Sequence, residues 1–149
     1  MPDYDRRYIV TEVKPEVGDA PWTPYFAPGT EGDRLLSLDT TVLKGAFYME
    51  VAWYYGGDWA EKKGPEGTIG AHKHDFPEVI AFIGSDPRNP KDLGGVLECW
   101  IDGRQNIITD SFLAFVPAGV EHGPIRWKSI SKPVLHFTAG MGEHYNKPD

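Results

Sequence analysis

Short apolar segments, separated by polar and turn-forming residues, recur along most of the chain. They are rich in Val, Ile, Phe, Tyr and Trp, and none is longer than ten residues, which is typical of β-strands. Several are apolar on both faces, as strands of a closed barrel or a two-sheet jelly roll are. The pattern therefore predicts an all-β fold with strands at residues 35–41, 46–55, 69–74, 78–83, 96–101, 105–108, 112–116 and 134–138.

Turn-forming residues mark the connections between these strands. Asp102 and Gly103 lie between two apolar runs and predict a tight hairpin, because both central residues of such a turn need a positive φ. Residues 56–70 and 85–95 are rich in Gly or Pro and predict surface loops. No pattern predicts a helix longer than about two turns.

The two ends of the chain differ from its strand-rich centre. Residues 15–32 hold four Pro and three Gly around Trp22, Tyr25 and Phe26, which predicts an irregular arm that packs onto another surface, such as a neighbouring subunit. We expect residues 1–149 to form a single domain, with this arm occupying about residues 1–33 and a polar tail about residues 140–149.

Composition narrows the class of partner. The 22 acidic residues outnumber the 15 basic ones, and the net charge of −7 opposes binding to nucleic acid or anionic lipid. The polar first residues and the lack of an apolar run near ~20 residues predict a cytoplasmic protein without a membrane span. The single cysteine, Cys99, excludes an intramolecular disulfide, and its apolar neighbours predict a packed thiol.

Four residues form a candidate metal site. His72 and His74 are two positions apart, so on a strand both imidazoles point to one face. Glu78 keeps that parity, and the Pro and Gly of residues 117–119 make a turn that can return His122 toward them. Three imidazoles and a carboxylate suit one divalent ion of Fe, Mn, Co, Ni, Zn or Cu.

Two segments resemble the motifs of the cupin superfamily. Residues 67–84 (GTIGAHKHDFPEVIAFIG) resemble the first motif, a Gly, an HxH pair, a Glu and a later Gly, and residues 117–122 (PAGVEH) resemble the core of the second. The resemblance implies a β-barrel of roughly six to eight strands, a double-stranded β-helix, with His72, His74, Glu78 and His122 holding one metal near its axis. The sequence departs from the motif pattern at four positions. Glu66 and Ser111 stand where the motifs have Gly, Arg126 stands where the second has Asn, and Gly84 comes one residue early.

Whether such a site is structural or catalytic depends on which metal it binds. Four protein ligands complete the sphere of tetrahedral Zn, which would make the site structural. A six-coordinate ion keeps two positions for water, O₂ or substrate, and Fe(II) is the ion we favour. The leading hypothesis is an enzyme acting on a small organic substrate, an oxygenase ahead of a lyase, isomerase or decarboxylase. The alternative is a non-catalytic cupin that binds a small ligand for sensing or storage.

Other residues receive weaker assignments. His136, Tyr54 and Tyr55 are candidate general bases, and His136 either lines the barrel or lies in an outer subunit interface. His144 is assigned no role. The arm and the frequency of two-fold assemblies predict a homodimer. Most aromatic residues of the strands should be core residues, with some lining the pocket, namely Trp53, Tyr55, Phe76, Phe82, Trp100, Phe115 and Trp127.

Overall fold

Among the residues that the structure describes, eight antiparallel strands form two facing sheets, which confirms the predicted all-β fold. The structure is a computed structural model that describes residues 3–18, 26–67 and 69–142. Among these residues, no helix is long and apolar enough to cross a membrane. The strands are β1 (Gly32–Leu38), β2 (Tyr48–Tyr54), β3 (Glu78–Gly84), β4 (Asp92–Ile101), β5 (Arg104–Asp110), β6 (Phe112–Val116), β7 (His122–Ile130) and β8 (Val134–Gly140).

The larger sheet has the order β1-β2-β8-β3-β6, and the smaller has the order β5-β4-β7. The predicted strand at 69–74 is wrong as a regular strand. This segment makes only isolated bridges to β7, from Ile69 to Ile125 and from His72 to His122. It nevertheless lies along the edge of the smaller sheet, so that its residues face the larger one.

Strand β7 is the element that the sequence pattern missed. Its buried Ile125 and Trp127 alternate with the more exposed Arg126 and Lys128, which is the period of a half-buried strand. Pro and Gly near its start obscured that alternation. The predicted loop 85–95 is too long, because β4 begins at Asp92, whereas the predicted hairpin is confirmed by positive φ at Asp102 and Gly103.

Helical structure is confined to short segments. The predicted loop 56–70 contains the helix α1 (Trp59–Lys63), followed by a 3-10 helix at Gly64–Gly67. A second 3-10 helix at Pro15–Val17 lies in the predicted arm. Phe26, at the end of the arm, is buried and packs 5.8 Å from the ring of Tyr54, so this part of the arm covers its own barrel. Trp22, Tyr25 and His144 lie outside the described residues.

The core fills the space between the two sheets. Leu93, Leu97 and Val134 are completely buried there, next to Phe82. Cys99 belongs to the same cluster, and burial raises the pKa of its thiol to about 11, which agrees with a packed structural thiol.

One charged network is also buried inside the larger sheet. Glu50 is 1% exposed and accepts hydrogen bonds from Arg34 and from the hydroxyl of Ser37, each at 2.5 Å. Burial raises the pKa of Glu50, and this effect outweighs the hydrogen bonds from Arg34 and Ser37, which lower it. Arg34 also donates to the carbonyl of Gly18 at 2.6 Å, so the network attaches the arm to the barrel.

The outer face of the larger sheet is apolar over four of its five strands, whereas the outermost strand β1 places the charged Asp33 on this face opposite Trp53. The register of the pairs places eleven side chains of β2, β3, β6 and β8 on this face, and none is charged: Met49, Val51, Trp53, Val79, Ala81, Ile83, Leu113, Phe115, Leu135, Phe137 and Ala139. Phe115 is 64% exposed here, so its prediction as a core residue is wrong. Leu113 beside it is 68% exposed.

Candidate metal centre

The four predicted ligands converge at one end of the barrel. Each of His72, His74, Glu78 and His122 offers a donor atom, and these four atoms all lie within 4.8 Å of one another. All four residues are buried, with exposures of 8% or less. Glu78 comes from the first position of β3 in the larger sheet, and His122 from the first position of β7 in the smaller one.

Backbone pairing brings His72 and His122 together although they are remote in sequence. The amide of each donates to the carbonyl of the other, at 2.8 and 2.9 Å, and their ring centroids are 4.3 Å apart. This approach depends on Gly123, where φ is 96° and an added Cβ would lie 2.6 Å from the carbonyl oxygen of Gly70. The glycine allows the segment before β3 to lie directly against β7.

The predicted turn before His122 is present and also fixes His74. Gly119 has a φ of 80°, in the left-handed region that glycine adopts easily. Its amide donates to the carbonyl of His74 at 2.8 Å. The turn therefore places both His74 and His122 at the same end of the barrel.

The carboxylate of Glu78 faces the imidazoles from the opposite sheet. Its Oε2 lies 2.8 Å from Nε2 of His74 and 3.4 Å from Nε2 of His122. Its other oxygen, Oε1, accepts a hydrogen bond of 2.6 Å from the buried hydroxyl of Thr138. Thr138 was missed from the sequence, although it shares the inward parity of His136 on the same strand.

Hydrogen bonds on the outer nitrogens orient two of the imidazoles. Nδ1 of His72 lies 2.7 Å from the carbonyl oxygen of Gly70, and Nδ1 of His122 lies 3.2 Å from that of Val120. Because a carbonyl oxygen only accepts, each Nδ1 carries the proton in the neutral ring and each Nε2 carries a lone pair. This is the arrangement in which a metal-ligating histidine is held by its surroundings.

Burial and mutual contact shift the pKa values of three groups in the cluster. Burial lowers the pKa of His72 to about 4, which keeps that ring neutral at pH 7. Burial alone would raise the pKa of Glu78 and lower that of His122. The interactions of Glu78 with His122, His74 and Thr138 reverse both effects, so the pKa of Glu78 is lowered and that of His122 is raised.

The orientation of the donor atoms fits a metal ion. Oε2 of Glu78 and Nε2 of His122 are both fully buried, and neither makes a hydrogen bond of normal geometry with the described residues. Lone pairs buried in this way are costly unless a proton or a cation lies between them. A mixed set of three imidazoles and one carboxylate is what borderline divalent metals prefer.

A small cavity adjoins the cluster inside the barrel. Its lining combines ligands with apolar side chains: Ile69, His72, Glu78, Ile80, Phe82, His122, Ile125, His136 and Thr138.

The three candidate bases lie in different surroundings. His136 lines the cavity, its Nδ1 lies 2.9 Å from the carbonyl oxygen of Ala81, and burial lowers its pKa to about 4. Of its two predicted positions, the structure therefore shows the one inside the barrel. Tyr54 is buried deeper in the barrel, and burial raises its pKa, so its hydroxyl keeps its proton at pH 7. The Tyr55 hydroxyl donates to Asp33 of β1 at 2.6 Å, and Tyr55 is not among the described residues lining the cavity.

The departures from the cupin motifs lie outside the cluster. The hydroxyl of Ser111 accepts a hydrogen bond from the amide of Gly84 and donates one to the carbonyl of Pro90, so these positions fix the opposite end of β3. Arg126 donates to Glu98 at 2.7 Å on the neighbouring strand. The broken motif positions that are described here therefore do not alter the ligand geometry.

Comparison with known proteins supports the fold and leaves the activity open. No protein-family model and no curated protein sequence matches the chain. Among solved structures, an oxalate oxidase in complex with the substrate analogue glycolate aligns with a TM-score of 0.51 and 13% identity, over 89% of this chain and 65% of that one. A mutant of the oxalate decarboxylase of Bacillus subtilis aligns with a TM-score of 0.51 and 16% identity, over 80% of this chain and 28% of that one.

A third similar structure is an RmlC-like cupin from Shewanella frigidimarina, with a TM-score of 0.45 and 16% identity, over 78% of this chain and 81% of that one. The chain thus spans less than two thirds of the oxalate oxidase and oxalate decarboxylase chains. The two facing sheets belong to the class of double-stranded β-helices. The fold is similar to that of these two oxalate-metabolising enzymes, and one end of the barrel carries a cluster of three histidines and one glutamate.

Proposed function

We propose that this protein is a cupin and a mononuclear metal enzyme acting on a small organic substrate. The observation that carries the proposal is the convergence of four buried donor atoms beside an apolar cavity. A cluster made only to stabilise the fold would not need such a cavity next to it. The small, partly apolar cavity supports an organic substrate rather than a macromolecule.

The proposed metal is one divalent ion, with Fe(II) favoured over Mn, Ni, Co, Zn and Cu. Its ligands would be His72, His74, Glu78 and His122. A six-coordinate ion would keep two positions, and it would supply Lewis-acid polarisation of a substrate oxygen or activation of O₂. An oxygenase reaction is our first choice, with a lyase, isomerase or decarboxylase reaction next.

The protein's own residues would bind and orient the substrate. Ile80, Phe82 and Ile125 exclude water from the cavity, which strengthens every polar interaction inside it. His136 is neutral at pH 7, so Nε2 is a hydrogen-bond acceptor and a weak base toward a substrate hydroxyl. Thr138 holds the Glu78 carboxylate in place.

Metal analysis together with an oxygen-consumption screen tests this proposal. We expect one metal per chain after reconstitution, and O₂ uptake by the Fe(II) form with phenolic or 2-oxo acid compounds. Stoichiometric metal with no turnover of any compound would favour the non-catalytic cupin that binds a small ligand. Failure of Fe, Mn, Ni, Co and Zn to bind would overturn the proposal itself.

We also propose that the protein is a homodimer. The support is the apolar outer face of the larger sheet, where exposed Leu113 and Phe115 lie among uncharged neighbours. Contiguous apolar surface of this kind marks an interaction site. For a chain with a net charge of −7, the uncharged part of this face, around Leu113 and Phe115 of β6, is also where a second copy approaches with the least repulsion.

A further inference from the structure

One buried aromatic ring lies against a candidate metal ligand although it offers no donor atom itself. Phe76 follows His74 by two residues and is 7% exposed. The centroids of its ring and of the His74 imidazole are 4.8 Å apart, and the two planes meet at only 11°. Nearly parallel rings at this separation are stacked with an offset, an arrangement that aromatic pairs favour.

The larger sheet makes room for this ring at a glycine. Gly140, the last residue of β8, pairs with Glu78 at the metal end of β3 and has the inward parity of Thr138. A Cβ added at Gly140 would overlap the ring of Phe76. The ring therefore takes the place of a side chain on the inner face of β8, and it lies between that strand and His74.

The stacking restricts a rotation that would turn His74 away from the cluster. Because the two planes are nearly parallel, rotation of the imidazole about its Cβ–Cγ bond would drive it into the ring of Phe76. In the observed orientation, Nε2 of His74 lies 2.8 Å from Oε2 of Glu78. Phe76 thus keeps Nε2 directed to the place where the four donor atoms converge.

The contact should also be stronger when the imidazole binds a metal ion. A divalent ion draws electron density from its ligand, which leaves the imidazole partly positive. The face of a phenyl ring is negative and attracts positive groups within about 6 Å of its centroid. The ring of Phe76 would therefore stabilise the metal-bound form of His74 more than the free form.

We propose that Phe76 is a positioning residue for the metal ligand His74, and that Gly140 is the position that admits its ring. This inference rests on the proposed function, because it needs a cluster that binds metal. It assigns part of the metal affinity to a side chain outside the ligand set. A role in packing alone would affect only stability, whereas positioning affects metal affinity as well.

Two phenylalanines of similar burial separate packing from positioning. Phe26 is 6% exposed and packs on Tyr54, at the opposite end of β2 from the cluster. We expect Phe76→Leu and Phe26→Leu to lower the urea midpoint of the metal-free protein to a similar extent, because each loses a similar buried area. Circular dichroism of both variants checks that they fold.

Metal affinity should distinguish these two variants. The probe is the most tightly bound of Fe(II), Mn(II), Ni(II), Co(II) and Zn(II), titrated against a competing chelator. We expect Phe76→Leu to bind it about tenfold more weakly than the parent protein, and Phe26→Leu to bind it as the parent does. Phe76→Tyr keeps the ring, and its affinity should stay within about threefold of the parent value.

A substitution at Gly140 tests the same contact from the larger sheet. Gly140→Ala should displace the ring of Phe76 and weaken metal binding about tenfold. In the double variant with Phe76→Leu the two effects should not add, because the contact is already lost. Gly140→Ala alone serves as the test if Phe76→Leu does not fold.

The stacking itself can be measured in the metal-free protein. An aromatic ring shifts the NMR signal of a proton above its face, so the Cε1–H signal of His74 should move in Phe76→Leu and in Gly140→Ala. It should stay in place in Phe26→Leu.

Equal metal affinities of Phe76→Leu and Phe26→Leu would overturn the positioning role and leave the metal site standing. An unmoved His74 signal would overturn it too, as would a loss of affinity in Phe76→Tyr as large as in Phe76→Leu. Failure of the parent protein to bind any of the five metals would overturn the proposed function and this inference together.

Discussion

His72 and His122 form a backbone pair in which each amide donates to the carbonyl of the other. The pair fixes the distance between these two histidines of the candidate metal centre through main-chain atoms. Side-chain rotamers then have little freedom, because Nδ1 of each ring is held by a carbonyl oxygen. The geometry of the site is therefore set before any ion binds.

Removing one ligand should abolish tight metal binding. We expect His122→Ala to lower the affinity for Fe(II) or Mn(II) at least about 100-fold, more than the loss of an outer hydrogen bond would cause. Lys73→Ala, an exposed change between two ligands, is the control and should have no effect. Titration with a competing chelator measures both affinities. If His122→Ala binds the metal as tightly as the parent protein does, His122 is not a ligand.

The hydrogen bond from Thr138 should matter for metal affinity rather than for folding. Thr138→Val keeps the shape of the side chain but removes the donor to Glu78, and we expect an affinity about tenfold lower. Thr109→Val, at an exposed position of β5, is the matched control. The same chelator titration applies. An equal affinity in the two variants would show that Thr138 does not support the carboxylate.

Close backbone contact at Gly123 predicts a strong effect of a single methyl group. Gly123→Ala would place its Cβ against the carbonyl of Gly70 and strain a residue with positive φ, which should separate His72 from His122. We expect a fall of about 2 kcal/mol in the free energy of unfolding, together with weaker metal binding. Gly70→Ala meets no atom within 4 Å and is the control. Equal urea midpoints for the two variants would contradict this account.

The pH dependence of stability should reveal the buried neutral His136. Its folded-state pKa, about 4, lies below the ordinary 6.5, so the unfolded chain binds the extra proton as the pH falls from 6.5 toward 4. Its contribution is thus fully present above pH 6.5 and is lost as the pH falls. Between pH 7 and pH 5 the metal-free protein should lose about 2 kcal/mol through this group.

His136→Phe keeps a ring against Phe82 and removes the titrating group. Urea unfolding at pH 7 and pH 5 should therefore show a smaller loss of stability in the variant than in the parent. The comparison cancels the contributions of His72, His122 and Glu78, which are present in both proteins. A parallel pH dependence of the two proteins would mean that His136 is not buried in its neutral form.

Charges placed on the outer face should separate the proposed homodimer. Leu113→Lys combined with Phe115→Lys puts two charges on exposed positions of β6, and we expect a monomer by light scattering with little change in Tm. Ile107→Lys, also exposed but on β5 in the other sheet, should stay dimeric. A monomeric parent protein would dismiss the dimer outright.

The sequence was most informative where chemistry and local spacing coincide. The parity of His72, His74 and Glu78 and the turn at Gly119 pointed to the four ligand types, because each signal acts over a few residues. The hairpin at Asp102 and Gly103 was predictable for the same reason. The approach of His122 to His72, by contrast, rests on their long-range backbone pairing.

Features that depend on long-range pairing were beyond the sequence pattern. Thr138 and the interior position of His136 follow from the pairing of β8 with β3, because β8 turns its more apolar face, with Leu135 and Phe137, outward, against what local polarity favours. Phe115 resembles a core residue by type and lies outside because it pairs with Val79 on the outer face of the larger sheet. Glu50 lies within a strand that is otherwise apolar, and the sequence pattern could not show that its partner Arg34 lies on the neighbouring strand.

The division of the ligands between the two sheets has a mechanical consequence. His122 belongs to the smaller sheet, His72 is bridged to it, and Glu78 belongs to the larger one. An ion bound by all of them would cross-link the two sheets reversibly at this end of the barrel. The metal-loaded protein would then resist separation of its sheets at this end, and the amide hydrogens of His72 and His122 would exchange more slowly than in the metal-free protein.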